Sequence, residues 1–111
     1  MNIEATQLDK AVVVKVTGRM DAESADEFEQ ACDVWINKGA TNLIADLSSL
    51  QYVSSMGLRS FLAIAKKLQT KSGSLMLSGL HGLPLQVFEI TRLISIFPIF
   101  ADTEQAHATL K

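Results

Sequence analysis

Long apolar runs are missing from this chain. No stretch approaches the roughly 18 uninterrupted apolar residues of a membrane-crossing helix, so no membrane span is expected. Cysteine is nearly absent: the single Cys32 has no partner for an internal disulfide. No charged segment followed by an apolar one opens the sequence as a secretory leader would, and a reducing, cytoplasmic setting is the expectation. Lysine and arginine form no cluster and the net charge is -2, which argues against a nucleic-acid surface, since such affinity rests on phosphate neutralisation. Histidine occurs only as His81 and His107, far apart and not grouped with Cys32 at metal-ligand spacing, so neither metal nor cofactor is expected. A Gly-x-Ser-x-Gly elbow and a Gly-rich loop ending in lysine are also lacking, and with them the usual signatures of a hydrolase nucleophile and a nucleotide cradle. There is no repeat, low-complexity segment or linker.

What is present suits one compact unit. The chain has 111 residues, 48% of them hydrophobic, enough for a single core, and residues 1–111 are expected to form a single domain. Ile3 to Gln7 and the β-branched run Ala11 to Thr17 flank a short turn and should pair as a hairpin, with Gly18 ending the second strand. Asp21 is placed to cap a helix running to about Asn37, with Glu23, Asp26 and Glu27 near its positive end and Phe28, Cys32, Trp35 and Ile36 on one face. Cys32 and Trp35 are read as core positions. Asn42 to Leu47, short and apolar between polar residues, has the character of a central strand.

A second helix is expected from Ser55 to about Thr70, with Leu58, Phe61, Leu62, Ala65 and Leu68 on its buried face. Ser72-Gly73 breaks it. Ser74 to Ser78 reads as another strand, Pro84 fits the first turn of a helix through Thr91, and a last strand near Ile99 precedes a helix from about Asp102 to Leu110. Alternation of strands and helices implies an α/β fold with a mixed, mostly parallel sheet of about five strands and about four helices.

The segment Asp46-Leu-Ser-Ser-Leu-Gln-Tyr-Val-Ser-Ser-Met-Gly-Leu58 carries most of the chemistry: a buried strand leads to two adjacent serines that open a helix. Serine is a common N-cap, and Ser54 or Ser55 can simply satisfy an orphan N–H. The same helix end, with free amides and the positive end of the macrodipole, also accommodates a phosphate on a serine hydroxyl. Taken with Gly18-Arg-Met-Asp21 upstream, the pattern Asp-Leu-Ser, five residues, Ser-Ser-x-Gly-Leu resembles the STAS family, the sulfate-transporter and anti-sigma-factor-antagonist domain. The resemblance extends to the Val87–Leu93 helix and the Ile99-Phe100 strand and implies a single STAS-like domain.

Within the family's antagonist branch the phosphorylated serine stands two residues before Gly-Leu, which here selects Ser55, with Ser54 as the alternative acceptor. Ser54, Met56 and Arg59 stand where antagonists usually carry aspartate, a small residue and glycine. The resemblance implies a phosphorylation-controlled regulator. Its unmodified form would bind a serine-kinase anti-sigma factor or similar switch kinase through Asp21, Ser54, Ser55, Met56, Gly57 and Arg59, phosphorylation would release it, and a PP2C-type phosphatase would reset it. A second binding reading is a stand-alone STAS subunit docked on the ATPase of an ABC-type lipid transporter. An enzyme would need Ser55 as nucleophile, His81 as base and Asp46 as orienter, and their spacing gives no support for that. The free chain is expected to be a monomer and not an enzyme.

Overall fold

The computed structural model describes residues 1–110; Lys111 lies outside them. β1 (Asn2–Leu8) and β2 (Ala11–Met20) form the expected hairpin, in register from Asn2↔Thr17 to Leu8↔Ala11, and the turn between them places Lys10 at φ 70. β3 (Asn42–Val53), β4 (Ser74–Ser78) and β5 (Ile99–Phe100) add in parallel, so the mixed sheet has the order β1-β2-β3-β4-β5. The helices are α1 (Ala22–Asn37), α2 (Ser55–Gln69), α3 (Gly82–Ile90) and α4 (Thr103–Ala108), with a 3-10 turn at Leu93–Ser95.

Two layers of side chains divide the core. Val12, Val14, Val16, Leu43, Ala45 and Leu47 pack with Phe28, Phe61, Ile64 and Phe88 of the first three helices. On the opposite face Ala11, Ile44 and Met76 meet Ala106 of α4. β3 is therefore apolar on both sides over its first half, as a central strand must be. α1 and α2 lie side by side: the Phe28 and Phe61 rings are 4.9 Å apart, Ser60 Oγ donates to Ala25 O at 3.1 Å, and Lys67 Nζ bridges Asp33 Oδ1 (2.8 Å) and Glu29 Oε2 (3.4 Å). Beneath that bridge Cys32 is buried, and burial pushes its thiol up to about 12, which makes it an inert core residue.

Five expectations need correction. β2 does not end at Gly18 but continues to Met20, because Gly18 takes φ +106 at an irregularity that L side chains resist and the strand then resumes. β3 likewise does not stop at Leu47. It runs on through Ser48 and Ser49 to Val53 by pairing with the tail of β2, whose ladder satisfies the backbone of a stretch too polar to look like a central strand. The third concerns α2. Leu62 is 36% exposed while Ile64 is fully buried, because the buried stripe runs through Gly57, Leu58, Phe61, Ile64 and Leu68, and Leu62 lies about 100° past Phe61 on an open flank. Trp35 sits at the margin of the core, half-buried, with Lys38 Nζ 4.7 Å from its ring centre. α4 is shorter than expected, ending at Ala108.

Candidate partner-binding and modification site

The extended tails of β2 and β3 bring two sequence-distant turns together. Met20 pairs with Val53, and Ser54 N–H donates to Met20 O at 2.8 Å, so the start of α1 and the start of α2 share one end of the sheet. Ser54 is the N-cap of α2: its backbone is extended, its Oγ accepts Gly57 N–H at 3.1 Å, and its carbonyl accepts Leu58 N–H at 3.0 Å. Ser55 is the first helical residue and is exposed, and among the described residues its hydroxyl makes no hydrogen bond. The two serines, either of which the sequence allows as the cap, thus have different jobs. One closes the helix end; the other stands free beside first-turn amides that lack intrahelical partners.

Gly57 is buried under the end of the sheet. A Cβ there would lie 2.7 Å from Val53 Cγ2 and 2.9 Å from Met20 Sδ, so glycine lets the first turn of α2 settle against both strand ends. Its place in the expected partner-binding set is that of a spacer, since it offers no exposed side chain. Met56 is 44% exposed beside it, and Arg59 is exposed one turn beyond Ser55. Because Val53 is β-branched and stiff, Gly57→Ala is expected to destabilise the fold by about 1–3 kcal/mol through overpacking. Urea denaturation reads this directly, and a midpoint equal to that of the parent would show that the strand end yields freely.

Asp21 caps α1 as expected, with a partner that the sequence reading missed. Ser24 N–H donates to Asp21 Oδ1 (3.0 Å), Asp21 N–H donates to Ser24 Oγ (2.9 Å), and the Ser24 hydroxyl lies 2.7 Å from Asp21 Oδ1. The available signal was the Asp-x-x-Ser spacing, a variant of the capping box. The Ser24 N–H and hydroxyl hold the Asp21 carboxyl below its ordinary value of 3.8. A lowered native pKa means stability that is fully present above the unfolded value and lost as pH falls through the native one. The gap in melting temperature between the parent and Asp21→Ala is therefore expected to be full at neutral pH and to shrink on acidification below 3.8; a gap that persists unchanged there would remove the carboxylate from the explanation.

Arg19 and Tyr52 are paired in the β2–β3 register next to this turn, and the Arg19 guanidinium stands 4.4 Å from the Tyr52 ring centre. The sequence reading missed this stack because nothing in either segment signals that they are neighbours. The residues of a hydrolytic triad are not brought together. His81 Nε2 donates to Ser48 O at 2.8 Å, and Asp46 Oδ1 accepts both the N–H (3.1 Å) and the hydroxyl (2.7 Å) of Ser48. Both candidates are thus spent on the middle of β3, and neither bonds Ser55. His107 Nε2, at the other end of the molecule, donates to Asp9 O at 2.6 Å. Among the described residues no helix is long and apolar enough to cross a membrane.

Comparison with known proteins matches residues 2–106 to the STAS domain family model. BtrV of Bordetella bronchiseptica, a candidate anti-sigma factor antagonist, is 32% identical over 111 residues, covering 100% of this chain and 96% of that protein. The anti-sigma-B factor antagonist of Staphylococcus aureus is 30% identical over 104 residues, covering 94% of this chain and 96% of its own. Among solved structures, the Bacillus cell fate determinant SpoIIAA in its phosphorylated form superposes with a TM-score of 0.79 at 20% identity, over 99% of this chain and 100% of that one.

Proposed function

The chain belongs to the STAS domain family, of the anti-sigma factor antagonist type, and from that premise we propose that it is a partner-switching regulator controlled at Ser55. Proteins of this type are regulatory binding domains. In the proposed cycle the unmodified chain, acting as one unit in the cytoplasm, binds a serine kinase of the anti-sigma type. The contact surface is the end of the sheet where Asp21, Ser54, Ser55, Met56 and Arg59 converge around the buried Gly57. The kinase transfers the γ-phosphoryl of ATP to the Ser55 oxygen, releasing ADP and a proton, and the complex separates. A PP2C-type phosphatase hydrolyses the phosphoester and restores the hydroxyl.

One observation carries the choice of residue. Ser54 Oγ is occupied by the Gly57 N–H while Ser55 Oγ is exposed and unbonded, so Ser55 can be modified without uncapping α2. The helix N-terminus then favours the added anion. Met56 gives the surface an apolar centre and Arg59 a cation at its rim, a division typical of protein interfaces. Incubation with the cognate kinase and ATP, followed by tandem mass spectrometry, is expected to place one phosphate on Ser55. Phosphate found only on Ser54 or Ser49 with an active kinase would reject the assignment. Stable binding to an ABC-type ATPase without any phosphate would favour the docking-subunit role instead.

A further inference from the structure

The two edges of the sheet are unlike. β5 has two residues, follows Pro98 and leads at once toward α4, so it offers no length for another strand. β1 has seven residues and pairs with β2 without a single register shift. It contains no proline, no lysine and only one charge, Glu4, and five of its residues are exposed. Proteins blunt such edges with short strands, bulges, lysine, proline or a covering element, because alternate residues of an open edge hold out unpaired N–H and C=O groups. Among the described residues β1 has only one protecting device, the single charge of Glu4.

We propose that β1 is a self-association surface on which a second copy of this chain adds its own β1 antiparallel, joining two sheets across a two-fold axis. The sequence of the strand selects the register. Only a two-fold axis through Ala5 uses all seven residues: Ala5 then faces Ala5, Glu4 faces Thr6, Ile3 faces Gln7 and Asn2 faces Leu8. In this register the single charge meets a hydroxyl. An axis through Glu4 would set two carboxylates directly opposite, which is unfavourable. In the Ala5 register the strand pairs with itself about the axis, as a two-fold interface requires. The proposed dimer departs from the monomer expected of the free chain, and its edge lies apart from Ser55: β2 stands between β1 and β3, the strand that leads into α2. A seven-residue edge buries less than the roughly 1,200 Å² of a standard interface, so the dimer is reversible and concentration-dependent.

Sedimentation velocity over a dilution series is expected to show a monomer that converts to a dimer as concentration rises. Ala5→Lys, which sets two ammonium groups opposite each other at an exposed position, should weaken association at least tenfold, with circular dichroism unchanged; Ser55→Asp should leave association unaffected. A second pair of variants tests the register. Mild oxidation should cross-link Ala5→Cys, whose thiols face each other about 4.5 Å apart between Cβ atoms, and should not cross-link Gln7→Cys, whose thiols are displaced along the strand; the native Cys32 is buried and does not compete. A parent chain monomeric up to about 1 mM, a dimer indifferent to Ala5→Lys, or equal cross-linking of the two cysteine variants would overturn the proposal.

Discussion

Phe61→Ala is expected to destabilise the fold by about 3–5 kcal/mol, the range for deleting a buried phenyl group. Phe61 is fully buried, and its ring lies 4.9 Å from that of Phe28, 5.6 Å from Phe88 and 6.4 Å from Phe97. It stands at the meeting point of α1, α2, α3 and the segment before β5, so no single neighbour can collapse into the space left behind. The loss combines transfer free energy, the empty cavity and three aromatic contacts in edge-on or tilted geometry. A total of about 5–15 kcal/mol holds a domain of this size, so this one change removes a large share. Urea denaturation followed by circular dichroism gives the shift; a midpoint equal to the parent's would show that the aromatic cluster does not hold the helices. Leu62→Ala on the same helix is the internal control, expected to cost far less because that side chain is 36% exposed.

Ser55→Asp is expected to weaken binding to the kinase-type partner by more than about a hundredfold, with Ser55→Ala binding as the parent does. A phosphoserine adds nearly two negative charges, and the carboxylate imitates part of that load. Either must lose water against a partner surface shaped for a hydroxyl, and about 3 kcal/mol suffices for a hundredfold change. The fold itself should not suffer, since a negative charge in the first turn of α2 lies at the favourable end of the macrodipole and that turn has no acidic residue of its own. Calorimetric titration of the three chains, with thermal unfolding as a check on integrity, decides the matter. Equal affinities would sink the phospho-switch and leave a constitutive docking role.

Much of the architecture was legible because it is written in local patterns. Asp21 before an acidic first turn, Phe28, Cys32 and Ile36 of the expected Phe28–Cys32–Trp35–Ile36 face, Ser72-Gly73 after α2 and Asp102 at the start of α4 each act within one or two turns of chain, and each appears in the structure where the sequence places it. The alternation of strands and helices was equally local, and it sufficed for the mixed sheet and the position of the two serines at the start of α2. The family resemblance then pointed to Ser55 as the expected acceptor.

What the sequence left undecided depends on residues far apart in the chain. β3 reaches Val53 only because the tail of β2 lies beside it to pair with Ser49, Leu50, Tyr52 and Val53; read alone, that stretch is too polar for a strand. The Arg19–Tyr52 stack and the division of labour between Ser54 and Ser55 follow from the same pairing, since it is Met20 O that holds Ser54 in the extended cap conformation. The 3.6-residue period locates a buried stripe on α2 but not its width, and the placement of α1 on one flank alone leaves Leu62 in solvent and puts Ile64 inside. Composition and local pattern therefore determined the kind and order of the elements and the Asp21 cap of α1. Only tertiary pairing decided which hydroxyl is free, which side chains surround it and which sheet edge stays open, because each of these is set by hydrogen bonds and contacts between segments that no local period connects.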